Sequence, residues 1–311
     1  MRYNHIIRWI KILSGKSYFH QDQGRGILFT PFELNGYFND MTKKCNWPGL
    51  VDNIGIPLID VIGKGPQYFA ITIVQKGLGH FDNFLKTSSQ HDSHEFFKIA
   101  DWFIENQDDM GGWRIDNVMT LEPEILYSAM AQGEVVSLLV RAWSIHKEVK
   151  YLTAAKKAYS LMVQPVSEGG CALYMDKNVF LEECPSSQVN TVLNGWIFAI
   201  FGVYDLFLAT NDLSVKAFFE LNVETLLRTI DAYIANFWSY YDLKKNISSP
   251  FYHKLVISQL ICLNLIIQNK KIDSIVMKFN SELTSKKCYL RALAHKGFQK
   301  ILSPGDSLAK C

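Results

Sequence analysis

Two carboxylates and a thiol stand side by side in Glu182-Glu183-Cys184, closed by Pro185, and Asn194-Gly195 follows nine residues later. Successive side chains of an extended segment point to opposite faces, so only one of the two glutamates can enter a cleft. A carboxyl in a partly buried cleft holds its proton more tightly and can act as general acid or base. Taken alone, a glutamate pair before a proline turn equally describes a solvated loop. Further on, residues 238–254 hold three tyrosines (Tyr240, Tyr241, Tyr252), three lysines (Lys244, Lys245, Lys254) and His253. Phenol rings are platforms for sugars, and a tyrosine hydroxyl can pass a proton to or from carbon when a nearby cation lowers its pKa from about 10. Helix packing with polar tips at the surface is the competing reading of the same aromatics.

Other segments are weaker. Ser128-Ala129-Met130-Ala131-Gln132-Gly133 opens a helix with small residues, which lets another backbone or a ligand approach closely. Gln132 would then reach a sugar hydroxyl, and Ser128 serves equally well as a plain N-cap. The loop Gly63-Lys64-Gly65-Pro66-Gln67-Tyr68 matches no phosphate-binding fingerprint and is read as a loop that can line the site through Tyr68. His80, His91 and His94 fall close together, but Asp92-Ser93 begins a helix there, so capping and solvation account for them and no metal site is expected. No Ser-His-Asp order, metal-ligand cluster or dinucleotide motif stands out.

The elements that must position these residues are mostly helices. Apolar positions recur at three and four residues over 70–84, 94–106, 129–146, 151–163, 189–210, 214–235, 251–267 and 272–283, which predicts eight helices. Asp108 to Gly112, Ser167 to Gly170 and Asn211-Asp212 carry the stop and start signals between them. Cys171 to Met175 alternates like a strand, Asp176-Lys177-Asn178 turns the chain, and Val179 to Glu183 returns, so the carboxylates sit at the exit of a hairpin between two helices. Helices paired through Gly-rich loops suggest an all-α dominated fold, a barrel of helix hairpins. Residues 1–69, rich in turn formers, read as an irregular extension with short strands, and 70–311 as one helical unit.

A chain of 311 residues with 48% apolar side chains can bury a large core. Its 32 Lys and Arg against 30 Asp and Glu leave a net charge of +2, too small and dispersed for nucleic-acid binding but compatible with a mildly basic cleft for an acidic glycan. The six cysteines, with no Cys-x-x-Cys, indicate neither a zinc knuckle nor a disulfide framework and fit a reducing compartment. Ile6 to Leu13 is broken by Arg8 and Lys11, so it reads as an amphipathic first helix, able to touch a membrane surface, rather than a signal peptide. The longest apolar run, Val192 to Leu208, falls short of the roughly 20 residues that span a bilayer and reads as a core helix. A cytoplasmic protein with no transmembrane segment, peripheral to the membrane at most, is the expectation.

In order, Ala70 to Gln75 with Gly77-Leu78-Gly79, Ala100 to Gln107 with Gly111-Gly112-Trp113, Tyr127 to Gly133, Val192 to Gly195, and Gly202 to Leu206 resemble strings of the C-terminal domain of D-glucuronyl C5-epimerases. Those enzymes convert glucuronate to iduronate in heparosan-type polymers. The resemblance implies an (α/α)-toroid with the acidic polysaccharide in a groove at one end, no cofactor, and a homodimer. It implies catalytic roles for Glu183, Tyr241 and Tyr252, and substrate contacts from Asn194, Lys244 and His253. Three departures stand out: Cys184 replaces a catalytic tyrosine, Lys244 replaces an arginine, and Val256 stands where a second histidine is usual. Lysine keeps the charge but not the bidentate fork. Cys184 is then itself an acid/base group, or it leaves space for Tyr174 or Tyr240, or the activity is lost. A polysaccharide lyase or hydrolase, or an impaired glycan-binding protein, is the alternative function.

Overall fold

A computed structural model describes residues 17–119 and 126–302. The expected first helix over residues 6–13 lies outside the described residues. Four helical hairpins make the body of the molecule: α1 (Ala70–Thr87) with α2 (Gln90–Glu105), α3 (Ala129–His146) with α4 (Val149–Val163), α5 (Leu193–Thr210) with α6 (Leu213–Thr229), and α7 (Pro250–Ile267) with α8 (Lys270–Thr284). The odd-numbered helices pack side by side in chain order, α1 on α3, α3 on α5 and α5 on α7, and each even-numbered helix returns along the outside of its partner. This is an (α/α)-toroid, as the residue pattern and the resemblance both imply. A further helix, α9 (Lys286–Leu302), packs on α8 and α7 and was not expected, because its apolar residues follow no clean stripe.

Burial follows the two layers. Every residue of α3 from Ala129 to Ala142 and of α5 from Leu193 to Leu206 is buried, whereas α8 hides only Ile272, Ile275, Phe279 and Glu282. Each fully buried Leu, Ile or Phe contributes about 1.5–3 kcal/mol, so the two inner helices are where the sequence concentrates its driving force. Glycine sets how closely they approach. A Cβ on Gly133 would lie 2.6 Å from the Ala199 Cα, and one on Gly202 would lie 2.3 Å from the Gly133 carbonyl oxygen. The small-residue string that opens α3 therefore admits a backbone, one of the two uses its sequence allowed.

Turn chemistry follows the sequence closely. Ser128, Asp212 and Ser249 accept hydrogen bonds at helix N-termini, and Asn211 closes α5 in the left-handed region at φ 54°. Boundaries moved where tertiary contacts decided them: α5 begins at Leu193 rather than Val189, and the helix after it ends at Thr229 and passes into a 3-10 turn, Ile230–Tyr233. Helix α5, with 18 residues, is long and apolar enough on average to cross a membrane by length and composition, and 78% of it is buried among its neighbours.

The segment before α1 bridges the first and last hairpins. It contains two 3-10 turns, Tyr18–His20 and Thr42–Cys45, and a meander of β1 (Leu50–Val51), β2 (Pro57–Val61) and β3 (Gly65–Tyr68). The Phe38 ring stacks on Phe201 of α5 at 3.9 Å, its carbonyl accepts from the Cys262 thiol of α7 at 3.0 Å, and the Tyr37 N–H donates to Asp82 of α1 at 2.9 Å. A second small sheet, β4 (Ala172–Met175) and β5 (Asn178–Leu181), forms the expected hairpin between α4 and α5, reversing at Asp176 with φ 52°.

Candidate active site

The β4–β5 hairpin delivers the glutamate pair. At its exit the Glu182 N–H donates to the Cys171 carbonyl (2.9 Å) and its carbonyl accepts from the Ala129 N–H at the start of α3 (2.9 Å). With the backbone held extended, the two side chains diverge as the sequence requires. Glu182 turns into the protein, buried, and accepts a 2.6 Å hydrogen bond from the Thr191 hydroxyl. Glu183 turns the other way into a cavity, where its Oε2 is shut from solvent and meets no protein hydrogen-bond partner among the described residues. Gly195 makes this possible, since a Cβ there would come within 2.3 Å of that oxygen. Burial pushes the Glu183 carboxyl up to about 7, with Glu182 adding to the rise. Burial also holds Glu182 up at about 7, against the lowering pull of Thr191.

Tyr241 reaches the same cavity because its loop is stitched to the start of α5: its carbonyl accepts from the Leu193 N–H at 3.0 Å. Tyr252 lies in the first turn of α7, capped by Ser249, and its ring meets that of Tyr241 at 4.9 Å. Burial lifts the Tyr241 phenol well above its ordinary value, and the nearby Glu183, Tyr252 and Cys184 add to it. The Tyr241 hydroxyl is thus a protonated donor, and Glu183 the group that can change state near neutrality.

The cavity holds about 210 Å³ and is lined by Glu183, Asn194, Tyr241 and Tyr252 together with Thr72, Gln75 and Met130. Thr72 and Gln75 lie in the first turns of α1, Met130 in that of α3, Asn194 in that of α5 and Tyr252 in that of α7. All four inner helices therefore aim their N-terminal ends, each carrying about half a positive charge, at this space.

Several members were not legible in the sequence. Lys44, in the 3-10 turn Thr42–Cys45, is buried and lines the cavity, its Nζ donating to the carbonyls of Tyr18 (3.2 Å) and Phe19 (3.1 Å). Burial lowers its pKa to about 8, against Glu134. Glu134 of α3 accepts from Gln75 at 3.0 Å and is pushed by burial to about 8. His20 lines the cavity with its ring 5.7 Å from that of Tyr252. Lys296 of α9 sits with Nζ 5.5 Å from the Tyr241 ring centre. Positions so scattered along the chain leave no local spacing to read.

Other expected residues are placed elsewhere. His253 is fully buried, stacked on Trp238 at 3.8 Å, with Nδ1 paired to the Ser239 hydroxyl (2.7 Å) and Nε2 to the Phe279 carbonyl (3.0 Å). Burial lowers its pKa to about 4, so it is a neutral packing residue, one helix position past the cavity-facing Tyr252 and on a different face. Tyr68 donates to Asp52 at 2.8 Å on the surface, and the rest of its loop forms the β2–β3 turn. Gln132 is fully buried but does not line the cavity. Lys244 is exposed and acts on Glu182 through its charge alone. Cys184 follows Glu183 without lining the cavity, and its field reaches Tyr241. Tyr174, the alternative donor, is exposed and bound to the Val163 carbonyl (2.6 Å).

Comparison with known proteins adds an independent line. A family model described as the D-glucuronyl C5-epimerase C-terminus matches residues 107–281, more than half of the chain. A D-glucuronyl C5-epimerase of Caenorhabditis elegans is 32% identical over 173 residues, covering 50% of this chain and 28% of that protein. A solved structure whose title gives UGL with dGlcA-Glc-Rha-Glc shares 11% identity at a TM-score of 0.43, over 71% of this chain and 61% of that one. Glu183, Asn194, Tyr241 and Tyr252 fall inside the matched span, whereas Lys44, His20 and Lys296 fall outside it.

Proposed function

The chain belongs to the D-glucuronyl C5-epimerase C-terminal family, and on that premise we propose that it is a uronate C5-epimerase, acting on glucuronate within a heparosan-type acidic polysaccharide. One observation carries this reading: Glu183, whose Oε2 is buried without a protein partner among the described residues, lines the same cavity as the Tyr241–Tyr252 pair and the N-terminal turns of four helices.

The chemistry asks for three things. A base must take the proton from C5, the electron pair left on carbon must be spread into the adjacent carboxylate, and a second group must return a proton from the opposite face. Glu183, titrating near neutrality, is the base, and the proton moves onto its Oε2. Tyr241, held protonated, is the donor on the other side, with Tyr252 packed against it. The dianionic enolate that forms between the two steps is costly in water. It is favoured where fixed positive charge awaits it, and the helix ends and Lys44 supply that charge. Asn194, whose Oδ1 is buried without a protein partner, is free to accept from a sugar hydroxyl. All of these groups belong to this chain, and the protons balance: Glu183 takes one, Tyr241 gives one, exchange with solvent returns both groups to their starting states, and nothing is oxidised.

Incubation with unsulfated heparosan in deuterated water tests the proposal. Deuterium should appear at C5 together with iduronate. Absence of exchange on heparosan and on other uronate polymers overturns the epimerase reading, and an unsaturated uronate absorbing in the ultraviolet replaces it with a lyase.

A further inference from the structure

Tyr241 must release its proton, yet burial lifts its phenol well above the ordinary value of about 10, and the nearby Glu183 and Tyr252 lift it further. A cation beside the ring lowers the cost of the phenolate. Lys244, three residues on, is exposed, and its charge acts on Glu182. Lys44 is held on the carbonyls of Tyr18 and Phe19.

Helix α9 brings a different cation. The Lys296 Nζ lies over the Tyr241 ring, 5.5 Å from its centre, while Lys296 itself does not line the cavity. The helix is fixed to the loop that carries Tyr241. Gln299 accepts from the Ile247 N–H at 3.0 Å, Tyr289 meets Trp238 edge to face at 6.0 Å, and Ala292 is fully buried against Ala235, Phe237 and Ile247. Tyr289, Ala292, Lys296 and Gln299 recur at three and four residues, so one face of α9 carries all of these contacts and the lysine with them. They form a small core apart from the main one. The family match ends at residue 281, before α9 begins, so it does not span this cation.

We propose that Lys296 is the positioning residue whose positive charge assists proton release from Tyr241, a role that rests on the epimerase reading of the cavity. When the phenol O–H gives its proton to C5, the electron pair of that bond stays on oxygen, and the ammonium beside the ring faces the phenolate that forms. Unit charges this close in a partly buried setting change an ionisation constant by about tenfold or more. Burial lowers the Lys296 ammonium to about 8, Lys300 of the same helix adds to the fall, and Asp242 opposes it. Around the phenol, Glu183, Cys184, Tyr252 and Asp242 all oppose the phenolate. On α8, against which α9 packs, Glu282 is engaged by Lys278 at 2.7 Å. The charge on Lys296 is thus present below about pH 8 and lost above it.

A fluorinated tyrosine installed at position 241, whose phenol ionises below tyrosine's own range, reports the coupling by fluorine resonance without any substrate. Its ionisation constant should be about tenfold or more larger in Lys296→Arg, which keeps the charge at every pH, than in Lys296→Met, which keeps the apolar stem. Lys296→Gln serves as the neutral variant where Lys296→Met does not fold. In C5 exchange on heparosan, Lys296→Met should lower kcat by about 10–100-fold with KM within a few-fold, because Lys296 does not line the cavity, and Lys296→Arg should restore most of the loss. The wild-type rate should fall above about pH 8, and Lys296→Arg should move that limb upward by about one pH unit or more. Equal phenol ionisation in the charged and neutral variants, or an alkaline limb that Lys296→Arg leaves in place, overturns the assignment. A displaced phenol titration in a chain that exchanges no uronate polymer removes the epimerase reading and leaves the coupling of Lys296 to Tyr241 standing.

Discussion

Two buried polar clusters share the same pair of inner helices, and they are built on opposite principles. Toward the C-terminal ends of α3 and α5, the Arg141 guanidinium is paired with Asp205, donates to the carbonyls of Ser137 and Asn35 (3.0 Å each), and lies 5.3 Å from the Tyr37 ring centre. Toward the N-terminal ends, the Oε2 atoms of Glu183 and Glu134, the Oδ1 of Asn194 and the Oε1 of Gln259 are buried without a protein partner among the described residues. The first cluster spends its hydrogen bonds on the N-terminal segment and the fold. The second leaves these atoms unpaired, those of Glu183 and Asn194 at the cavity itself, and a buried polar atom without a partner costs stability. At these two ionisable centres, the Arg141–Asp205 pair and Glu183, pairing rather than burial is what differs.

The sharpest way to break this contrast is to remove one carboxylate from each cluster. Glu183→Gln should lower C5 deuterium exchange by about 10²–10⁴-fold while leaving the midpoint of urea unfolding unchanged or raised, because a neutral amide replaces a carboxyl that ionises at a cost. Asp205→Ala should do the opposite to the fold, with a loss of roughly 3–5 kcal/mol as Arg141 is left charged and unpaired in the core. If both variants lose stability alike, the distinction between the clusters fails.

Tyr241→Phe comes next. The ring contact with Tyr252 survives, so urea unfolding should be little changed, while exchange falls by about 10²-fold through loss of the donor proton.

The pH dependence follows from the buried glutamates. Glu134, Glu182 and Glu183 have folded-state pKa values raised by burial to about 8, 7 and 7. Each favours the folded state most below its ordinary value of about 4.3, and that contribution is lost as pH rises through the raised value. Wild-type stability should therefore decline between about pH 5 and pH 8, and Glu134→Gln should flatten the decline in a series of urea titrations. Exchange activity should rise over the same interval as Glu183 ionises, with an apparent pKa near 7 that belongs to the coupled Glu182–Glu183 pair. An activity that falls with pH across this range would remove Glu183 as the base.

The smallest effect is expected at Cys184. It stands outside the cavity lining, so Cys184→Tyr should leave the fold intact and change exchange by a few-fold, measured as initial rate on heparosan. A large gain would show that the native site is a weakened form of one with three tyrosines.

Local signals read correctly because they depend on local physics. The Ser128 cap, the Asn211-Asp212 stop and restart and the β4–β5 reversal depend on residues within a few positions of one another. The divergence of Glu182 and Glu183 follows from strand geometry alone, and the order of strings that resembles the C5-epimerases carries Asn194, Tyr241 and Tyr252 with it. Tertiary structure alone decided what each face of a helix meets. Tyr252 and His253 are neighbours in α7, yet a 100° rotation per residue sends one into the cavity and the other into the Trp238 stack. It likewise turned Lys44 inward, and it brought Cys45 beside His80 and Asp92 across two elements. These arrangements depend on where distant backbones cross, and the glycine contacts at Gly133, Gly195 and Gly202 set that spacing only once the helices have packed.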